Sequence, residues 1–148
     1  MGTNQQKISE KWQEVLSRNG GRITLPRQII LEVIAASQRP LSPQEVHAQA
    51  VKRLPSIGLV TVYRTIDKLV DLGLVDRVHH SDQCQTVFRG TPSHQHLLVC
   101  EACGQSVYFD GLEMEWEFQK TAHKLGYTIT GHWLQLNGLC PNCQKGNS

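Results

Sequence analysis

The sequence predicts an α+β protein in two parts: an N-terminal winged helix-turn-helix over residues 1–90 and a C-terminal α/β domain with structural zinc over residues 91–148. Three observations carry this. The first half repeats apolar residues at helical spacing and then alternates them through two short runs. The second half holds two Cys-x-x-Cys pairs, Cys100/Cys103 and Cys140/Cys143, with thirty-six residues between them. The charge balance changes between the halves: twelve Lys and Arg against eight Asp and Glu through Gly90, three against five afterwards.

The first helix covers residues 8–18, with Ile8, Trp12, Val15 and Leu16 on one stripe and Asn19, Gly20 and Gly21 as the stop. A second follows Thr24 as N-cap and Pro26 in the first turn, with Ile29, Ile30, Val33 and Ile34 apolar. "SPQEVHAQAVKRL" starts a third on Ser42, Pro43 and Glu45, a capping box, and Pro55 closes it. "LVTVYRTIDKLVDLG" is the fourth, burying Val62, Ile66, Leu69 and Val70, ending at Gly73, and leaving Thr61, Tyr63, Arg64, Thr65 and Lys68 outward. "LVDRV" and "QTVFR" form a hairpin across the turn His79–Gln83. After a hinge near Thr91, Pro92 and Ser93 come strands "HQHLLVC" and "SVYFD". A helix then carries Met114, Phe118, Ala122 and Leu125 on one side, and a strand "YTITGHWLQL" leads to the second Cys pair.

No apolar run approaches the roughly 20 residues that cross a bilayer, and the start "MGTNQQKISEKW" lacks the apolar centre of a signal peptide. A cytoplasmic protein with no membrane partner is expected. Cysteines stay reduced there, so metal or redox chemistry precedes disulfides. Four thiolates close a tetrahedral zinc site and fix the second Cys pair, whereas a thioredoxin-like pair leaves one Cys-x-x-Cys idle. A zinc deaminase needs His-x-Glu and Pro-Cys-x-x-Cys. This chain reads His94-Gln95-His96 and Cys140-Pro141-Asn142-Cys143, and no nucleophile and base stand out, so no catalytic residue is assigned.

The histidines divide from the cysteines by distance. His94 and His96 share a strand face, but His96 to Cys100 is roughly 13 Å along an extended strand, too far for one ion. Glu115 lies about 15 Å along the helix from its end at Leu125. His132 lies about 16 Å along the following strand. Both return to the same height, so His94, His96, Glu115 and His132 are expected to form a second metal site with N and O ligands that suit Zn, Fe(II) or Mn. His123 answers to the helix dipole and His47 to an exposed helix face. Cys84, with Asp76, His79, His80 and Asp82 nearby, suggests a third site at the hinge, and its sulfur favours zinc.

The outward face of the fourth helix suits a major groove about 12 Å wide. Arg64 could bond a guanine edge or a phosphate, Tyr63 could meet a thymine methyl or donate to a phosphate, and Thr61 lies beside them. Lys68, Arg22, Arg27, Lys52, Arg53 and Arg77 supply salt-dependent phosphate contacts. Double-stranded operator DNA is the expected partner. A zinc-ribbon interaction module is the rival reading.

"RITLPRQIILEVI", "LSPQEVHAQAVKRLPSIGLVTVYRTIDKLVDLGLV" and "HQHLLVCEACG" together resemble the ferric uptake regulator family over nearly the whole chain. The resemblance implies a homodimeric, metal-dependent transcription factor with a C-terminal α/β dimerisation domain. It places Tyr63 and Arg64 on the recognition helix, makes the four paired cysteines the structural zinc site, and puts His94, His96, Glu115 and His132 on the family's dimerisation-domain site. Family members usually build a hinge site from histidines at the alternate strand positions, which here hold Gln95 and Leu97. Asp76 matches the hinge aspartate of some zinc-sensing members, and Cys84 lies near their sulfur ligand. The chain is therefore most similar to the zinc uptake regulators, expected to repress metal-uptake genes. Iron- or peroxide-responsive regulation is the alternative.

Overall fold

Apolar residues three and four apart wind the first part of the chain into four helices: α1 (Asn4–Arg18), α2 (Leu25–Ala36), α3 (Pro43–Ala50) and α4 (Leu59–Asp71). An antiparallel hairpin follows, β1 (Val75–His79) with β2 (Gln85–Arg89), in the register Val75↔Arg89 to His79↔Gln85. The computed structural model describes residues 4–79, 85–89 and 95–146. The chain divides into two units, Met1–Gly90 and Thr91–Ser148.

Local chemistry sets most helix ends. Ser42 and Glu45 form the full capping box: the Ser42 hydroxyl accepts from the Glu45 N–H at 3.1 Å and the Glu45 carboxylate accepts from the Ser42 N–H at 2.8 Å. The Arg39 guanidinium grips the same carboxylate at 2.6 Å and holds it below the usual carboxylate range. Thr24 occupies the N-cap position of α2, but its side chain makes no cap bond. α3 stops at Ala50 rather than continuing to Pro55. The Arg53 and Leu54 N–H groups both donate to the Ala50 carbonyl, tightening the chain, and Arg53 pairs with Glu32 on α2 at 2.6 Å. α4 ends in a Schellman turn, with Gly73 at φ +68, its N–H on Val70 O and the Leu74 N–H on Leu69 O.

One core serves this unit. Trp12 and Leu16 of α1, Ile30 and Ile34 of α2, Val46 of α3 and Val62, Ile66 and Leu69 of α4 meet Val75 and Val87 of the hairpin. Each fully buried Ile or Leu contributes about 1.5–3 kcal/mol. Leu41, ahead of α3, exchanges backbone bonds with Val87 at 3.0 and 2.8 Å, so a third segment ties the hairpin to the helices. Thr65 differs from expectation. It is buried, and its hydroxyl donates to the Thr61 carbonyl at 2.7 Å, which lets a polar residue sit on the inner face of α4. Val70 is only half-buried.

The second unit holds β3 (Gln95–Cys100), β4 (Ser106–Asp110), α5 (Leu112–Lys124), β5 (Gln135–Gly138) and α6 (Pro141–Lys145). The strands order β4-β3-β5, β3 running antiparallel to β4 and parallel to β5. The strand expected over 127–136 is confined to its end. Residues 127–134 form no strand, although Leu134 accepts a bond from the Leu97 N–H at 3.3 Å. Their alternation records side-chain propensity and does not supply a neighbouring ladder. Leu125, expected on the inner side of α5, is 69% exposed at its C-cap. Trp116 is 78% exposed and Tyr127 75%, while Leu112, Trp133 and Leu136 also lie open.

Candidate metal centres and nucleic-acid face

The β3–β4 hairpin brings Cys100 and Cys103 together, because Gly104 at φ +75 turns the chain and its N–H bonds the Cys100 carbonyl at 2.9 Å. The parallel ladder sets Gly138 beside Cys100, which delivers Cys140 at the N-cap of α6 and Cys143 on that helix to the same place. All four Sγ atoms lie within 4.8 Å of one another, with Cys103 and Cys140 at 3.8 Å. Zinc–sulfur bonds of about 2.3 Å at the tetrahedral angle put sulfurs roughly 3.8 Å apart, so the sulfurs fit one zinc ion. The Cys140 N–H points at Cys100 Sγ at 3.3 Å. That bond, with others from Cys103 and Ala102, lowers the Cys100 thiol to about 6. Crowding by the other sulfurs, Cys140 first, pushes Cys143 up to about 12. Four adjacent sulfurs resist ionising together, and a cation removes that conflict.

A second cluster lies on the same strand. Opposed residues share a sheet face, so His96, Leu98 and Cys100 of β3 face the same way as Phe109 and Val107 of β4. His96 is 4% exposed, with its ring against Phe109 at 5.6 Å, Phe118 at 6.3 Å and His132 at 5.2 Å between centroids. Glu115 Oε1 lies 3.6 Å from His96 Nε2 and 2.8 Å from His132 Nε2. Despite these distances, His96 Nε2 and Glu115 Oε1 are buried without a hydrogen-bond partner. Unpartnered buried atoms of this kind are costly unless something else accepts their lone pairs. Ligand bonds of about 2.0–2.1 Å at the tetrahedral angle set donor atoms roughly 3.3 Å apart. The donors therefore converge on a shared point rather than on one another, which fits a divalent cation.

The structure brings together His96, Glu115 and His132 of the four expected ligands; His94 lies outside the described residues. His80, Asp82 and Cys84 of the hinge group also lie outside them. Asp76 and His79 both sit on β1, three residues apart, and therefore on opposite faces. Among the described residues neither joins a cluster of three metal-type groups. His47 is half-buried rather than on an open face, and its Nε2–H donates to the Ile57 carbonyl at 2.9 Å. His123 lies exposed in the last turn of α5.

On the first unit, α4 leaves Tyr63 and Arg64 exposed, with Thr61 and Lys68 half-buried beside them and Arg22 exposed ahead of α2. Sequence reasoning missed Gln44. From the first turn of α3 its Nε2 donates to the Tyr63 hydroxyl at 3.0 Å, which leaves the phenol proton free to donate outward. The contact joins residues nineteen apart on two helices, and no local pattern announces it. Two expected phosphate contacts are already paired: Arg53 with Glu32 at 2.6 Å and Arg77 with Asp67 at 2.7 Å. Such exposed pairs hold by about 0–1 kcal/mol, so either guanidinium can exchange partners at small cost.

The profile of the Ferric uptake regulator family matches residues 18–137. The peroxide-responsive repressor PerR of Staphylococcus saprophyticus is 30% identical over 129 residues, covering 87% of this chain and 86% of that one. The zinc uptake regulation protein of Mycobacterium tuberculosis is 33% identical over 131 residues, covering 88% of this chain and 100% of its own. A zinc uptake regulator solved with zinc and DNA superposes with a TM-score of 0.79 at 20% identity, covering 99% of both chains, which is a likeness of fold. No described helix is long and apolar enough to cross a membrane.

Proposed function

Since the chain belongs to the ferric uptake regulator family of metal-responsive transcriptional regulators, we propose that it is a zinc-responsive repressor of metal-uptake genes that binds operator DNA as a homodimer. The observation that carries this reading is the pair of orphaned buried atoms, His96 Nε2 and Glu115 Oε1, facing His132 apart from the four thiols. The four thiols would hold one ion in a closed cage, and His96, Glu115 and His132, from three separate elements, would hold the other. A divalent cation at the second site supplies bonds that hold β3, α5 and the segment before β5 in one arrangement. The three donors do the rest: His96 presents Nε2 from β3, Glu115 brings the negative charge, and His132 ties in the segment before β5.

Response to metal requires the loaded arrangement to bind DNA better than the empty one. A hundredfold preference corresponds to about 2.7 kcal/mol. The first unit, residues 1–90, would read DNA through α4, with Tyr63 and Arg64 at base edges, Thr61 beside them and Lys68 and Arg22 on phosphates. The second, residues 91–148, would dimerise. Exposed Trp116, Tyr127 and Trp133 support that role, since open aromatic surface of this kind marks interaction sites.

Zinc as the sensed metal rests on Cys84 and Asp76 at the expected hinge, with His94 completing the ligands of the second site. The nitrogen and oxygen donors of His96, Glu115 and His132 also suit Fe(II) or Mn(II), and the peroxide-responsive repressor among the relatives supports peroxide-responsive regulation as the second reading. Titrating metal-stripped protein with Zn(II), Fe(II) and Mn(II), while counting ions per chain and following operator anisotropy, tests the proposal. Zinc should bind first at the thiolates, and operator affinity should rise only with the next ion. Equal DNA affinity with the thiolate ion alone refutes metal sensing, and a rise with Fe(II) but not Zn(II) reassigns the metal.

A further inference from the structure

His96 reaches its partners across a position that has no side chain. The geometry points to Gly111 as a positioning residue of the His96–Glu115–His132 site, an inference that rests on the functional reading above and deepens it. Gly111 is buried at the start of α5, at φ −115 and ψ 22, a conformation open to any residue. The backbone therefore does not call for glycine there. Space does: a Cβ at Gly111 would overlap the His96 ring at Cδ2 and Nε2. Phe109, Phe118 and His132 flank the ring, so a displacement of it is felt by all three neighbours. The atom under pressure is the one that must donate to the ion.

Gly111 also sets the other ligand. Its carbonyl accepts the Glu115 N–H at 3.1 Å, so the residue that admits the imidazole also begins the helical turn presenting the carboxylate. A side chain here would separate the strand ligand from the helix ligand and leave the four thiols untouched. The spacing of two metal sites along one strand makes that separation measurable.

The test uses the full chain carrying Gly111→Ala, with Co(II) as the probe. Wild type should take two Co(II) per chain, one giving thiolate charge-transfer absorption. The variant should keep that absorption and lose second-ion affinity by about tenfold or more. A double-mutant cycle with His96→Ala separates positioning from general damage. With only the thiolate ion loaded, Gly111→Ala should lower Tm in wild type and have no further effect where His96 is already alanine. Second-ion affinity within about twofold of wild type overturns the inference, because losing a group that orients a metal ligand costs about tenfold or more. So does a loss of Tm that persists in the His96→Ala background. A wild type that takes a single Co(II) removes the functional reading and this inference together.

Discussion

Zinc capture by the four thiols should weaken steeply with acid, and the sulfur environments set how steeply. Only thiolates bind the ion, so each thiol still protonated in the metal-free unit must release a proton. Cys100, lowered to about 6 chiefly by the Cys140 N–H, is ionised at neutral pH. Cys143, pushed to about 12, is not. Cys103 is raised too: the Gln105 N–H, its largest single influence, pulls it down, but the neighbouring sulfurs and burial outweigh that. At least two protons therefore leave per ion near neutrality, and lowering the pH from 7.5 to 6.5 should cost zinc affinity about a hundredfold or more. Below about 6 Cys100 is protonated as well and adds one to the slope. Competition against a chromophoric chelator at half-unit steps from pH 5 to 8 reads the slope directly. A slope of one or less near pH 7, or no steepening below 6, would refute this account of the sulfurs. Metal-free stability follows the same groups. The Cys100 contribution is present above its ordinary value of 9.0 and fades as pH falls toward about 6. The Cys143 contribution is present below 9.0 and fades as pH rises toward about 12.

Cys140→Ser should abolish cooperative melting of the second unit while the helical transition of the first persists, because structural zinc contributes about 10–16 kcal/mol of apparent folding energy; calorimetry showing both transitions unchanged would count against it. His132→Ala should weaken the second ion by about tenfold to a hundredfold and leave the thiolate ion in place, as metal counting after dialysis would show. Gln44→Ala should weaken operator binding about three- to tenfold, near the 0.5–1.5 kcal/mol of one hydrogen bond, and have no effect when Tyr63 is already phenylalanine. Leu69→Ala should cost about 2–5 kcal/mol in urea unfolding of the first unit, since the side chain is fully buried in that unit's core.

Elements set by local chemistry were legible in the sequence. Ser42, Pro43 and Glu45 announce α3, and Gly73 closes α4. The meeting of Glu115 and His132 was reached by matching heights along a helix and a strand, although the segment carrying His132 is not a strand. Features set by distant partners were not legible. Nothing near Leu41 shows that it will pair with Val87, nothing in α3 shows that Gln44 will hold Tyr63, and the brief α6 is carried by five residues around Cys143. Gly111 gave no signal either. Read locally it is a helix start, and its meaning comes from an imidazole fifteen positions earlier in the chain.

His96 and Cys100 lie on one face of one strand, separated by Leu97, Leu98 and Val99. Because the pleat alternates, the interval between the two metal sites obeys a parity rule. Insertion or deletion of one residue in the spacer would turn the imidazole to the opposite face while the hairpin kept the thiols where they are. Leu97 and Val99 are buried and hold the spacer's composition apolar, while its length can change only in steps of two, each moving the sites by about 6.6 Å.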